Sequence, residues 1–91
     1  MDDFIGSVVL SLSGRDNGDL FVVLADDSDR FVFYADGRTR KIQSPKKKSK
    51  KHVRILGKSS VTDISAVTNK QLRRLLYDFK LSISCAPEKE E

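Results

Sequence analysis

Short β-rich segments separated by tight-turn residues fill the chain from residue 7 to residue 56, and this spacing most constrains the fold. In the first segment Val8, Leu10 and Leu12 share one face, which predicts a strand buried mainly on that face. Glycine and acidic residues mark turns at 14–18 and 26–29, and Asp36-Gly37 is a hairpin signal. We therefore predict five strands, over 7–12, 20–25, 30–35, 39–42 and 52–56.

The hydrophobic period changes to that of a helix after residue 67. Thr68 is a predicted N-cap, and Gln71, three residues later, completes a capping box. A helix over 69–80 follows, and Leu81 and Ile83 either lengthen it or form a short packed extension. Its apolar residues fall on one stripe: Leu72, Leu75, Leu76 and Phe79.

Five short strands followed by one amphipathic helix predict a mainly β fold, a small, partly open, five-stranded barrel. A sheet of this size needs closure or a cover, and we expect the helix to cover the open end of the barrel. Ninety-one residues allow one small core. The predicted organisation is a barrel (1–57) with a basic loop (44–51), a linker (58–67), the helix with its extension (68–83) and a disordered acidic tail (84–91).

The charge of the chain is strongly polarised along the sequence. Residues 37–62 contain ten Lys or Arg and no Asp or Glu, whereas the rest of the chain has seven basic and thirteen acidic residues. Five lysines lie within 46–51, directly after Pro45. Their mutual repulsion predicts a mobile loop, and such a loop neutralises phosphates efficiently. A solubilising run and a nuclear import signal are the alternatives.

The segment Gly14-Arg15-Asp16-x-Gly18, between a valine-rich strand and Phe21, resembles a KOW element, the strand-loop-strand unit of small SH3-like barrels. The longer string GRDNGDLFVV, followed by DGRTRKIQSPKKKSKKH, resembles the fourteen-e family of archaeal and eukaryotic large-subunit ribosomal proteins, especially their short bacterial KOW-domain RNA-binding relatives. The resemblance covers roughly residues 4–56. It implies an SH3-like, KOW-type barrel that binds RNA, with ribosomal RNA as the first candidate.

The same resemblance assigns Gly14 and Gly18 to a loop that lets the backbone approach RNA, with Arg15 and Asp16 at its tip. A glycine-flanked tip exposes backbone N–H groups to phosphates, and arginine offers a planar fork to phosphate or base. Asp16 pairs with Arg15, caps the turn or accepts from a base edge; alternatively the loop is only a turn with a solvated ion pair. The complete candidate RNA-binding set is Gly14, Arg15, Asp16, Gly18, Arg38, Arg40, Lys41, Lys46, Lys47, Lys48, Lys50, Lys51, His52, Arg54 and Lys58.

Residues that carry catalysis or bind metals are sparse. His52 is the only histidine, and no His, Asp and Ser constellation with the logic of a catalytic triad accompanies it. Cys85 is the only cysteine, so no thiol pair is possible within the chain. Asp26, Asp27 and Asp29 lack the glycine and terminal glutamate of a calcium loop. We expect no enzyme activity, no cofactor and no metal.

The N-terminus is acidic where a signal peptide is basic, and no apolar run approaches the ~18 residues of a membrane span. We expect a cytoplasmic monomer without a membrane partner. Two functions stay open: an RNA-binding module associated with the ribosome or rRNA, and an SH3-like protein-interaction module whose helix docks a partner while the basic loop contacts acidic surfaces.

Overall fold

The computed structural model describes residues 4–27, 29–59, 61 and 63–89, with side chains as far as Ser82. The protein is mainly β with a C-terminal helix, as predicted. Its elements are β1 (Ser7–Ser11), β2 (Leu20–Asp26), β3 (Phe31–Ala35), β4 (Lys46–Ser49), β5 (Val53–Lys58) and α1 (Asn69–Lys89), with short 3₁₀ turns at Gly14–Asp16, Lys50–His52 and Ile64–Ala66. Within the described residues, no helix has an apolar stretch long enough to cross a bilayer.

The five strands form one antiparallel sheet in the order β4-β3-β2-β1-β5. No ladder joins β4 to β5 among the described strands, so the sheet is not closed. The two edge strands are nevertheless consecutive in the chain, joined only by the Lys50–His52 turn. In a flat sheet they would lie ~19 Å apart, whereas the chain from Ser49 to Val53 spans at most ~14 Å. The sheet must therefore curl until its edges approach each other at this turn.

Both faces of the central strands are buried. Val8 and Val22 belong to one core cluster, which also contains the helix residues Leu72 and Leu76. Residues adjacent to these two in β1 and β2, together with residues of β3 and β5, form the second cluster: Val9, Phe21, Val23, Val32, Tyr34 and Val53. The prediction that the first strand is buried mainly on its Val8 face is therefore wrong, because the curled sheet encloses its other face as well.

The predicted fourth strand (39–42) is wrong, and the predicted loop (44–51) is wrong over Lys46–Ser49, which form β4. Asp36 Oδ1 accepts the backbone N–H groups of Arg38 and Arg40, at 2.9 and 2.8 Å, and Ile42 N–H donates to Asn69 Oδ1 at 2.8 Å. These bonds direct the segment toward the helix and leave the free edge of β3 to Lys46–Ser49. Charged side chains on an edge strand also hinder strand addition by other chains, which gives the lysines a structural role.

The predicted capping box at the start of α1 is confirmed. Thr68 N–H donates to Gln71 Oε1 at 2.9 Å, and Gln71 N–H donates to Thr68 Oγ1 at 3.1 Å. The predicted stripe packs across the row that Val8, Val22 and Ala35 form on the sheet.

The helix is longer than predicted. Leu81 and Ile83 lie within it, so they lengthen it rather than form a separate extension. The tail predicted as disordered from residue 84 is helical as far as Lys89. The last two residues of that tail lie outside the described residues.

Candidate nucleic-acid interface

The loop between β1 and β2 is a rigid turn held by its own backbone. Gly14 and Gly18 have φ values of 74° and 91°, in the left-handed region that favours glycine. Asn17 N–H donates to Gly14 O, Gly18 N–H to Ser11 O, and Asp19 N–H to Asp16 O. These amides are therefore not available to phosphates, and the prediction that the loop offers them to RNA is wrong for residues 17–19.

Asp16 does not lie at an exposed tip. Its side chain is buried, accepts the Tyr34 hydroxyl at 2.9 Å, and pairs with the Arg40 guanidinium at 3.2 Å. Pairing with Arg15, one of the alternatives for Asp16, does not occur, because Arg40 reaches the carboxylate from the 36–45 segment. Burial by itself raises the pKa of the Asp16 carboxyl, but the hydrogen bonds from Arg40 and Tyr34 outweigh burial and hold that pKa below its usual value. Asp16 is thus a structural anion, and Arg40 is its partner.

The lysine strand lies directly beside this loop. Lys48 Nζ donates to the Ser13 carbonyl at 2.9 Å. Lys46 pairs with Tyr34 across the β3–β4 ladder, so the two side chains share one face of the sheet. The contacts of Tyr34 and Lys48 therefore place β4 and the 13–18 loop at one corner of the molecule.

The turn between the edge strands reaches the same corner. Leu12 N–H, one residue before Ser13, donates to the carbonyl of His52 at 2.9 Å. His52 ends a 3₁₀ turn, and β5 begins one residue later than predicted, at Val53. Arg54 follows in β5 opposite Leu10. Residues 51–54 are thereby brought next to the loop that contains Arg15.

Several basic side chains of the predicted set form no hydrogen bond or ion pair with any part of the chain that the structure describes. Apart from Lys46, which is half-buried, all of them are exposed. Unpaired surface cations are the groups that can exchange counterions for phosphates. These cations are Arg15, Arg38, Lys41, Lys46, Lys51 and Arg54, and the exposed imidazole of His52 has no hydrogen bond or ion pair within the described chain either.

Three other lysines of the predicted set are held away from this corner. Lys47 Nζ lies 3.5 Å from Asp27 and 4.7 Å from the centre of the Phe31 ring. Lys50 pairs with Asp26 at 2.9 Å and lies over the Phe4 ring. Lys58 pairs across the ladder with Ser7, at the end of β1 opposite to the loop. Within the lysine run, Lys46 and Lys48 therefore lie on the side of the loop, whereas Lys47 and Lys50 are paired with Asp27 and Asp26.

A small cleft on the other side of the loop contains residues that the sequence analysis missed. It has a volume of about 200 Å³, and its lining includes Gly18, Arg38, Arg73, Tyr77 and Lys80. Arg73 is held in place by donating from Nη1 to the Gly37 carbonyl at 2.7 Å. The helical spacing of Arg73, Tyr77 and Lys80 was a usable signal, since residues four and three apart share one helix face.

No group of three or more histidine, cysteine, aspartate or glutamate side chains that could hold a metal ion occurs among the described residues. The surface is instead organised around the 13–18 loop, with β4 on its Gly14 side and the small cleft on its Gly18 side. Comparison of the chain with protein-family models and with curated proteins finds no match.

Proposed function

We propose that this protein is an RNA-binding module, associated with the ribosome or with rRNA, that holds its RNA mainly through phosphate contacts. The observation that carries the proposal is the group of unpaired cations around the 13–18 loop, with Arg15 on the loop itself and Lys46, Lys51 and Arg54 on the elements beside it. A dense, unneutralised positive surface attracts polyanions and speeds their encounter.

We further propose that the curled sheet is a small SH3-like barrel of the KOW type. The antiparallel strand order and the short turn between the edge strands support this fold, and so does the resemblance of the 14–23 segment to a KOW element. In such a barrel the loop after the first strand is exposed at one end, where an irregular RNA surface can reach it.

RNA is favoured over duplex DNA because the helix is poorly placed for groove reading. Leu72 and Leu76 bury one face of α1 against the sheet, and Arg73 is bound to the Gly37 carbonyl. A major-groove recognition helix needs a free face with several base-contacting side chains. Exposed loops and a short charged strand suit phosphates of folded RNA better.

The alternative is a protein-interaction module that docks its partner through α1. One observation favours it: a groove of about 860 Å³ between the end of β5 and the helix, where Val61, Leu75 and Phe79 supply apolar lining. Burial of the main helical stripe in the core weakens this alternative, because Leu72 and Leu76 are unavailable to a partner.

Binding to a structured RNA across a series of salt concentrations tests the proposal. If about five phosphates are neutralised, log affinity should fall against log salt with a slope of about −3.5 to −4.5. Sedimentation of cell extract through a sucrose gradient, before and after ribonuclease treatment, separates the two functions. Ribonuclease should release the protein from fast-sedimenting particles; co-sedimentation with a protein partner that survives the nuclease would support the alternative.

A further inference from the structure

We propose that the small cleft beside Gly18 binds one unpaired base of the RNA, which stacks on the ring of Tyr77. This inference rests on the proposed RNA-binding function and adds a second kind of contact to it. The phosphate contacts at β4 and the 13–18 loop are indifferent to base pairing, whereas a stacking site requires a base that has left its helix.

Tyr77 is the most exposed large hydrophobic side chain of the described residues, with 63% of its surface accessible. It lies on the helix next to the buried Leu76, so its backbone position is fixed by the core while its ring faces the cleft. Proteins that bind single strands stack the bases on exposed aromatic rings whose backbone is held in place and which lie next to cations.

The other groups around the cleft fit a nucleotide. Arg38, Arg73 and Lys80 supply cations for the flanking phosphates. The Asp19 carboxylate has no hydrogen bond within the described chain, so it can accept an N–H of a base edge. Asp36 also lines the cleft, but its Oδ1 already accepts two backbone amides.

The size of the cleft and its open side at Gly18 also favour a single planar base as the occupant. A volume of about 200 Å³ is below the range of ~300–1,000 Å³ for sites that enclose a whole drug-sized ligand. Gly18 has no atom within 4 Å of the position that a Cβ would occupy, so a base can approach the backbone there. Phosphate contacts alone would not require this opening beside an aromatic ring.

Tyrosine fluorescence of the full chain tests the inference directly. The protein has no tryptophan and two tyrosines, of which Tyr34 is buried and bonded to a carboxylate. Titration with a short single-stranded oligoribonucleotide should quench the emission of the parent and of the Tyr34→Phe variant. The same titration with a fully paired RNA duplex without unpaired ends should leave the emission nearly unchanged.

Affinity measurements complete the test. Tyr77→Ala should weaken binding of the single strand by about 5- to 150-fold, the effect of losing one base stack, and leave duplex binding unchanged. Tyr77→Phe keeps the ring and should bind like the parent. Leu81→Ala removes another exposed apolar side chain one turn along the helix, which does not line the cleft, and is the matched control.

Single-strand binding by Tyr77→Ala equal to that of the parent would overturn the base site. The proposed function would survive that result if replacing Lys46 and Lys51 by serine still lowered the salt dependence of RNA affinity. Absence of any RNA binding by the parent would overturn both proposals.

Discussion

The Tyr34 hydroxyl donates to Asp16 Oδ2 at 2.9 Å, and this bond connects the centre of the sheet to the 13–18 loop. The Tyr34 ring stacks on Phe21, with ring centres 4.0 Å apart, so the donor is fixed by the core. Arg40, from the 36–45 segment that forms no strand, also donates to the Asp16 carboxylate. The loop conformation that presents Arg15 is therefore set by a buried polar network.

Asp16→Ala should lower the free energy of unfolding by about 1–3 kcal/mol, because it leaves the buried Tyr34 hydroxyl without its acceptor and Arg40 without its anion. The pKa of Asp16 is lowered in the folded state, so its contribution is complete above the unfolded value of ~3.9 and is lost as pH falls through the folded pKa. Urea unfolding at pH 7 and below pH 4 should show the difference between parent and variant narrowing in acid. Asp78→Ala, which removes only an exposed ion pair, should change stability by less than about 0.5 kcal/mol.

Tyr34 should make folding sensitive to alkali. Burial and the nearby Asp16 carboxylate raise its pKa to about 12 from 10.0, so the folded protein holds this proton more tightly than the unfolded chain does. Its contribution is present below pH 10 and is lost as pH rises from 10 through 12, and two pKa units correspond to roughly 3 kcal/mol at most. Urea midpoints between pH 9 and 11 should fall less in Tyr34→Phe than in the parent. Parallel declines in the two proteins would contradict this assignment.

Arg15→Ala should weaken RNA binding by about 1–3 kcal/mol, the cost of losing a charged contact to an anion. Its side chain is exposed and has no partner within the described chain, so stability should change by less than about 0.5 kcal/mol. Arg74→Ala is the matched control, since it removes the same charge from the far side of the helix, next to the larger groove. Equal affinities of the two variants at moderate salt would reduce the loop to a turn without an RNA contact.

The lysine run should act unequally in RNA binding. Lys46 and Lys51 are unpaired, whereas Lys47 and Lys50 are paired with Asp27 and Asp26. Replacing Lys46 and Lys51 together by serine should flatten the slope of log affinity against log salt by about 1.4–1.8, the effect of two lost phosphate contacts. Replacing Lys47 and Lys50 removes the same charge and should flatten it less. Identical slopes for the two double variants would mean that only total charge matters.

Two glycines with positive φ should respond differently to alanine. Gly18→Ala meets no neighbouring atom and should cost only the backbone strain, about 1–2 kcal/mol. Gly37 lies against the first turn of the helix, where an added Cβ would overlap the Asn69 backbone, so Gly37→Ala should destabilise the protein more. Thermal unfolding of both variants measures the difference, and equal losses would show that the loop around Gly37 can move away from the helix.

Local sequence determined the elements whose stabilising groups are close in the chain. The period of two identified β1, and runs of β-prone residues between turn signals identified β2 and β3. The capping box of Thr68 and Gln71 identified the start of the helix, since both of its bonds lie within one turn. The unbalanced charge of residues 37–62 follows from composition alone and does not depend on the fold.

Only the tertiary structure decided which side chains are free to act. Asp16 and Arg40 are 24 residues apart, and their pairing depends on how the sheet curls, which no local pattern records. The lysine run became a strand because an unpaired edge of β3 supplied hydrogen-bond partners that outweigh the repulsion among its charges. The cleft around Tyr77 exists because the helix packs beside Gly18 and Arg38, residues from two distant loops. The ion pair, the fourth strand and the cleft all depend on hydrogen bonds and packing between residues that are far apart in the sequence.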